Sequence, residues 1–159
     1  MARARDVELM PGQPFAEAAG RVVGVRVEEL FEQAEGVLDT GDIERVHDMR
    51  VATRRLRAVL EIFAPCFPAD LHRELLGEVK GLADALGERR DPDVHIDALE
   101  RFAAAVPAPE RPGVQSLVEA FRAEQARGNE GLAVALAEAH DSALRDRLHA
   151  LAALAGVAQ

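Results

Sequence analysis

Residues 46–63 read VHDMRVATRRLRAVLEIF, and the phase of this stretch decides the fold. An ideal helix turns about 100° per residue. With His47 set at 0°, Arg54, Arg50 and Arg57 fall at about 340°, 300° and 280°, so these four residues share an arc of roughly 80°. The arc from about 120° to 240° holds Met49, Ala52, Thr53, Leu56, Val59, Leu60 and Phe63. Arg55 stands on the other flank, near 80°. The segment therefore reads as a helix divided into an apolar face and a cationic face.

Arg50 to Arg57 spans roughly 10 Å of helix axis at ~1.5 Å per residue. A guanidinium stays charged at any relevant pH and grips phosphate oxygens in a two-pronged fork, so three in a row match a ligand with successive phosphates. Like charges on one face repel when nothing is bound, which makes the arrangement costly and suggests use. The competing explanation is that the arginines pair with acids. The chain has 28 Asp and Glu, and Glu61 falls near 320°, within reach of Arg57.

On either side of this helix the chain is punctuated by proline, glycine and acidic caps. Residues 1–13 have no clear period and read as a loose lead-in. A first helix is expected from Pro14, carrying Phe15, Ala18, Val22, Val25, Leu30, Ala34 and Leu38, and broken by Asp39, Thr40 and Gly41. Asp42 is expected to cap the second helix, which runs to about Phe63. A turn at Pro65, Phe67 and Pro68 leads to a third helix after Asp70, with Leu71, Leu75, Leu76, Val79, Leu82 and Leu86. Asp91 as N-cap and Pro92 in the first turn mark a restart as a fourth helix. This ends among Pro107, Pro109 and Pro112. A fifth is expected over about 113–139, interrupted near Gly128 and Gly131, and a short last one over about 142–155. Nothing reads as a strand. The fold class is all-α, an antiparallel bundle of about five to six helices with short connections.

Composition narrows the function. The chain has 159 residues, enough for one domain with a core, and aromatics are only 4%. That scarcity argues against base-stacking platforms. The net charge of −9 is unlike that of a general nucleic-acid binder. Segment 47–57 carries +3, leaving about −12 elsewhere, so any anion site is focused. Cys66 is the only cysteine, which excludes an intrachain disulfide and fits a reducing compartment. There is no signal-like start and no membrane-spanning run of ~18 apolar residues, so no membrane association is expected and a cytoplasmic location is.

With these features in place, VHDMRVATRRLRAVLEIF at 46–63 resembles the signature of CHAD domains (conserved histidine α-helical domains). LADALGERRDPDV at 82–94 resembles the second recurrent stretch of that family. The likeness runs from about Phe15 to Leu154, more loosely in the last third. It implies a helical domain, here residues 14–159, that binds inorganic polyphosphate or another phosphate-rich polyanion through a basic surface. His47, Arg50, Arg54 and Arg57 match the family's basic helix, and Lys80 and Arg90 match basic positions on the following segments. The resemblance also implies association with CYTH-type triphosphate enzymes or with polyphosphate granules. A full CHAD domain has two such halves facing across a groove, whereas this chain carries one basic helix and resembles the N-terminal half. A homodimer completing the groove is the more physical arrangement, because a half-bundle would expose an apolar face.

Further basic positions extend the candidate site. Lys80 and Arg73 share a face of the third helix, and Arg55 flanks the stripe. Arg90 would lie at the positive end of the helix capped by Asp91, where an anion gains from charge and dipole alike. Each has a bland counterpart: a solvated pair for Lys80 and Arg73, an ion pair with Asp91 or Asp93 for Arg90. Gly77, Gly81 and Gly87 allow either close packing or close approach of a ligand, or merely weaken the helix. A phosphorelay role for His47 is disfavoured, since Asp48 and Met49 follow it. No two histidines stand at i, i+4, and no nucleophile elbow, Walker loop or dinucleotide fingerprint occurs. The expectation is a binding module with no catalytic residue, no metal and no cofactor. The alternative is a helical interaction or dimerisation module whose arginines pair with acidic groups of a partner.

Overall fold

The computed structural model describes residues 3–157, so residues 1–2 of the lead-in and 158–159 of the bundle lie outside the described residues. Five helices follow one another: α1 (Phe15–Glu32), α2 (Ile43–Ile62), α3 (Ala69–Ala105), α4 (Arg111–Asp141) and α5 (Leu144–Ala153). Single 3-10 turns at Ala64–Cys66 and Ala108–Glu110 bridge α2 to α3 and α3 to α4. No strand occurs among the described residues. The all-α bundle read from the sequence is the fold.

The third and fourth predicted helices are one. α3 runs 37 residues with Pro92 inside it, and Asp91 caps nothing. A proline in a helix interior lacks the N–H that would serve residue i−4 and normally costs about 3 kcal/mol. Here the turn is held from outside. Arg89 and Asp93, both wholly buried, pair across Pro92 at 2.5 Å. From α4, Gln125 donates to Asp93 Oδ1 at 2.6 Å, and Arg89 Nε donates to Asn129 Oδ1 at 3.1 Å. Asn129 Nδ2 in turn donates to the Leu38 carbonyl at 3.1 Å, tying in the α1–α2 loop. Gly128 lets the two backbones meet, since a Cβ there would stand 2.9 Å from the Glu88 carbonyl oxygen. That carbonyl is the one Pro92 leaves without its helical partner. α4 likewise passes uninterrupted through Gly128 and Gly131.

The core is gathered at one end. Leu75, Val79, Leu82 and Leu86 of α3 meet Leu132 and Ala139 of α4, together with the buried faces of α1, α2 and α5. Beyond Asp93 the α3–α4 hairpin continues as a two-helix arm in which only Val106, Val114 and Val118 are buried hydrophobics. The α1 stripe differs from the expected one: Ala19, Val23, Val27 and Leu30 are buried, whereas Phe15 is exposed and Val22 and Val25 are half-buried. α1 is wedged between α2 and α5, and its contact with α5 uses small residues rather than large ones. A Cβ on Gly20 would lie 2.5 Å from the Ala152 carbonyl oxygen. Arg26 donates to the Arg5 carbonyl at 3.0 Å and Arg21 to the Glu8 carbonyl at 2.9 Å, two contacts between the lead-in and α1.

α5 is locked to α1 by charge as well as by close approach. Glu28 receives Arg145 at 2.5 Å and also contacts His149. The hydrogen bond from Arg145 holds the Glu28 carboxyl below its ordinary value of 4.5.

Three outcomes follow from this packing. Removing one partner of the buried pair, as in R89M or D93A, is expected to cost about 3–5 kcal/mol in denaturant unfolding, and R89M/D93L less than the sum of its singles. G128A is expected to destabilise by about 1–3 kcal/mol because its methyl meets backbone. G87A, whose methyl would meet open space, is expected to stabilise by roughly 0.4–1 kcal/mol. Because the folded-state pKa of Glu28 is depressed, its contribution is fully present above about pH 4.5 and is lost as pH falls through the lower folded value. E28Q is therefore expected to flatten the acid limb of a melting-temperature profile taken between about pH 3 and 6.

Candidate anion-binding groove

The phase of α2 is fixed by what it buries. Val46, Met49, Ala52, Thr53, Leu56 and Leu60 are in the core, and Val59 and Phe63 pack against it. Thr53 satisfies its hydroxyl on the Met49 carbonyl at 2.8 Å. The predicted apolar arc faces the core, and Val46 and Val51, which fall outside that arc, are buried as well, so the basic residues face outward between these two valines. Asp42 stands at the N-cap position, but its side chain makes no capping bond and accepts from Arg45 Nε at 3.1 Å instead.

α3 runs antiparallel beside α2. His72 Nε2 meets the Leu60 carbonyl at 2.8 Å, and Lys80 meets Glu61 at 3.4 Å. Between the two helices lies a groove of about 580 Å³. One wall is His47, Arg50, Val51, Arg54 and Arg57 of α2. The sequence-predicted stripe is therefore brought together in a concavity. Arg50 and Arg54 are exposed and make no hydrogen bond or ion pair among the described residues. Arg57 stands 4.0 Å from Glu61, and its Nε is shielded from solvent with no partner. A desolvated N–H left unmatched is expensive, and an anion oxygen in the groove would satisfy it.

The other predicted basic positions lie outside the groove lining. Arg55 is half-buried on the far flank. Arg73 pairs in solvent with Asp70 at 3.0 Å. Lys80 pairs with Glu61 at 3.4 Å and does not line the groove. Arg90 turns to Asp93 at 3.8 Å. With no helix beginning at Asp91, the expected dipole site at Arg90 does not exist. Gly77, Gly81 and Gly87 have nothing within 4 Å of a built Cβ, so close packing is not their reason. Gly87 lines the groove and keeps its floor low.

The opposite wall was missed by sequence reasoning. It is formed by Ala83, Asp84, Gly87, Glu88 and Asp91 of α3. The three acids stand at i, i+4 and i+7, a pattern visible in the sequence only if α3 is carried through Asp91. No group of three or more His, Cys, Asp or Glu suited to a metal occurs among the described residues, these three acids included. No helix among them is long and apolar enough to cross a membrane.

Comparison with known proteins agrees with the sequence signature. A Mycobacterium tuberculosis protein, the uncharacterised Rv2226, is 35% identical over 98 residues, which are 62% of this chain and 19% of that relative. The chain thus spans about a fifth of the length of the relative it matches. No solved structure matches. The family model described as CHAD domain matches residues 21–159, which takes in all five helices except the first turns of α1. Carrying both the α2 basic face and this match, the chain belongs to the CHAD domain family.

Proposed function

We propose that this protein is a binding module for inorganic polyphosphate and that the α2 wall of the groove is its site. The observation that carries this reading is the pair Arg50 and Arg54, exposed, one helical turn apart and without acidic partners among the described residues. In a chain with 28 acidic residues, arginines usually find carboxylates. Two that do not, flanked by His47 and Arg57 in one concavity, form a ladder for consecutive phosphates. Family membership fits a phosphate-rich ligand. The acidic remainder of the surface repels polyanions and confines them to this strip.

In this reading His47 contributes a hydrogen bond at the α2 N-terminal end, and Arg57 supplies its shielded Nε at the other. Two chains would present two such strips, so a homodimer is the fuller binding surface. Association with triphosphate-processing enzymes or polyphosphate granules belongs to the same reading, as does action without catalysis.

The test is titration of medium-chain polyphosphate against the wild type and R50A/R54A/R57A. Loss of three charge-assisted contacts, each partly screened, is expected to weaken binding by about 100-fold. The dependence of log affinity on log salt should become shallower by about 2, because three fewer phosphates are neutralised. Equal affinity for the two proteins removes the assignment of the site. A variant that instead changes oligomeric state, with polyphosphate ignored by both proteins, assigns the arginines to a protein partner.

A further inference from the structure

One carboxylate oxygen joins a cation of each helix beside the groove. Glu61 Oε1 stands 4.0 Å from Arg57 Nη2 on its own helix and 3.4 Å from Lys80 Nζ on α3. Arg57 is among the groove-lining residues, and Glu61 follows it by one turn of α2. Asp84 lines the other wall, and Lys80 precedes it by one turn of α3. The position of Glu61 Oε1 is therefore one from which an anionic oxygen reaches both cations, next to the strip formed by Arg50, Arg54 and Arg57.

The carboxylate holds that position weakly. The side chains of Arg57, Glu61 and Lys80 are 38%, 48% and 45% exposed. Ion pairs with this much solvent contribute little and restrain long, flexible side chains. Glu61 also leaves the cation incompletely satisfied, since Arg57 Nε is shielded from solvent and has no partner. A phosphate oxygen is the same kind of charge-assisted acceptor as a carboxylate oxygen. A polyanion already held on the neighbouring arginines competes for this position at high local concentration, while Glu61 has open solvent to turn into.

We infer that Glu61 is an intrachain competitor of the polyanion: its carboxylate occupies a phosphate position shared by Arg57 and Lys80, and the ligand gains Lys80 by displacing it. Lys80, outside the groove lining while paired, thus becomes a ligand contact on exchange. The inference rests on the polyphosphate reading of the same groove.

The experiment titrates medium-chain polyphosphate against wild type, E61Q, K80A, E61Q/K80A and R50A/R54A/R57A at low salt. E61Q is expected to bind about threefold more tightly than wild type, the gap narrowing as salt is raised. The decisive readout is the coupling between the two positions. In wild type, K80A gives up a phosphate contact but also an ion pair of the free protein, and is expected to weaken binding only about twofold. In the E61Q background the phosphate contact has no competitor, and K80A is expected to weaken binding about tenfold. An equal factor in the two backgrounds overturns the inference, because a carboxylate that merely adds negative charge nearby does not couple to Lys80. Binding by E61Q equal to or weaker than that of wild type overturns it as well. Glu61 is exposed, so E61Q leaves the core untouched; should it misfold, E61A is judged by the same criteria. In each overturning case, loss of binding in R50A/R54A/R57A leaves the polyphosphate reading standing. If neither wild type nor E61Q binds, that reading fails and this inference with it.

Discussion

One buried ion pair organises this molecule. Arg89 and Asp93 lie one helical turn apart on either side of Pro92, with no exposure to solvent. Gln125 and Asn129 add hydrogen bonds from α4 to Asp93 and Arg89, leaving Arg89 Nη2 and Asp93 Oδ2 unmatched, and Asn129 extends the network to the loop after α1. A buried ion pair of this kind is weak evidence for stability, because desolvation offsets much of its attraction. Its contribution is to specify geometry. It fixes the register of α3 against α4 at the turn where a proline would otherwise end the helix.

The consequence reaches the groove. A helix restarting at Asp91 would turn that side chain to its own N-terminal amides. Continuity through Pro92 instead places Asp91 in line with Asp84 and Glu88 on the wall opposite α2. The carbonyl of Glu88 faces Gly128, while its side chain lines the groove. The same residue thus joins the packing of the hairpin to the electrostatics of the candidate site.

The groove is close to neutral over its two walls, yet strongly polar across them. Such an arrangement differs from a uniformly basic cleft: it rewards an anion that can lie close to one side. The surrounding surface, at a net −9 for the chain, adds to the contrast. α2 can hold its arginines unpaired because its core face, from Val46 to Leu60, fixes the rotation of the helix. The energy of burial there overrides the repulsion among the charges.

The sequence by itself determined the helical class, the phase of α2 and the grouping of His47, Arg50, Arg54 and Arg57. These follow from a period of 3.6 residues, which depends on neighbours along the chain. It misplaced what depends on neighbours in space. Asp91-Pro92 carries the local signature of a helix start, and only the buried network from α4 shows why the helix passes through it. The apolar residues of α1 occupy two adjacent arcs, and the choice between them was made by α2 on one side and by α5 on the other, where glycine replaces bulk. Arg90, expected beside a helix start, lies instead within the continuous α3, 3.8 Å from Asp93. The acidic wall could be traced only once α3 was known to be continuous. Local periodicity set each helix face, and tertiary packing decided which faces meet, because register and burial are fixed by side chains distant in sequence.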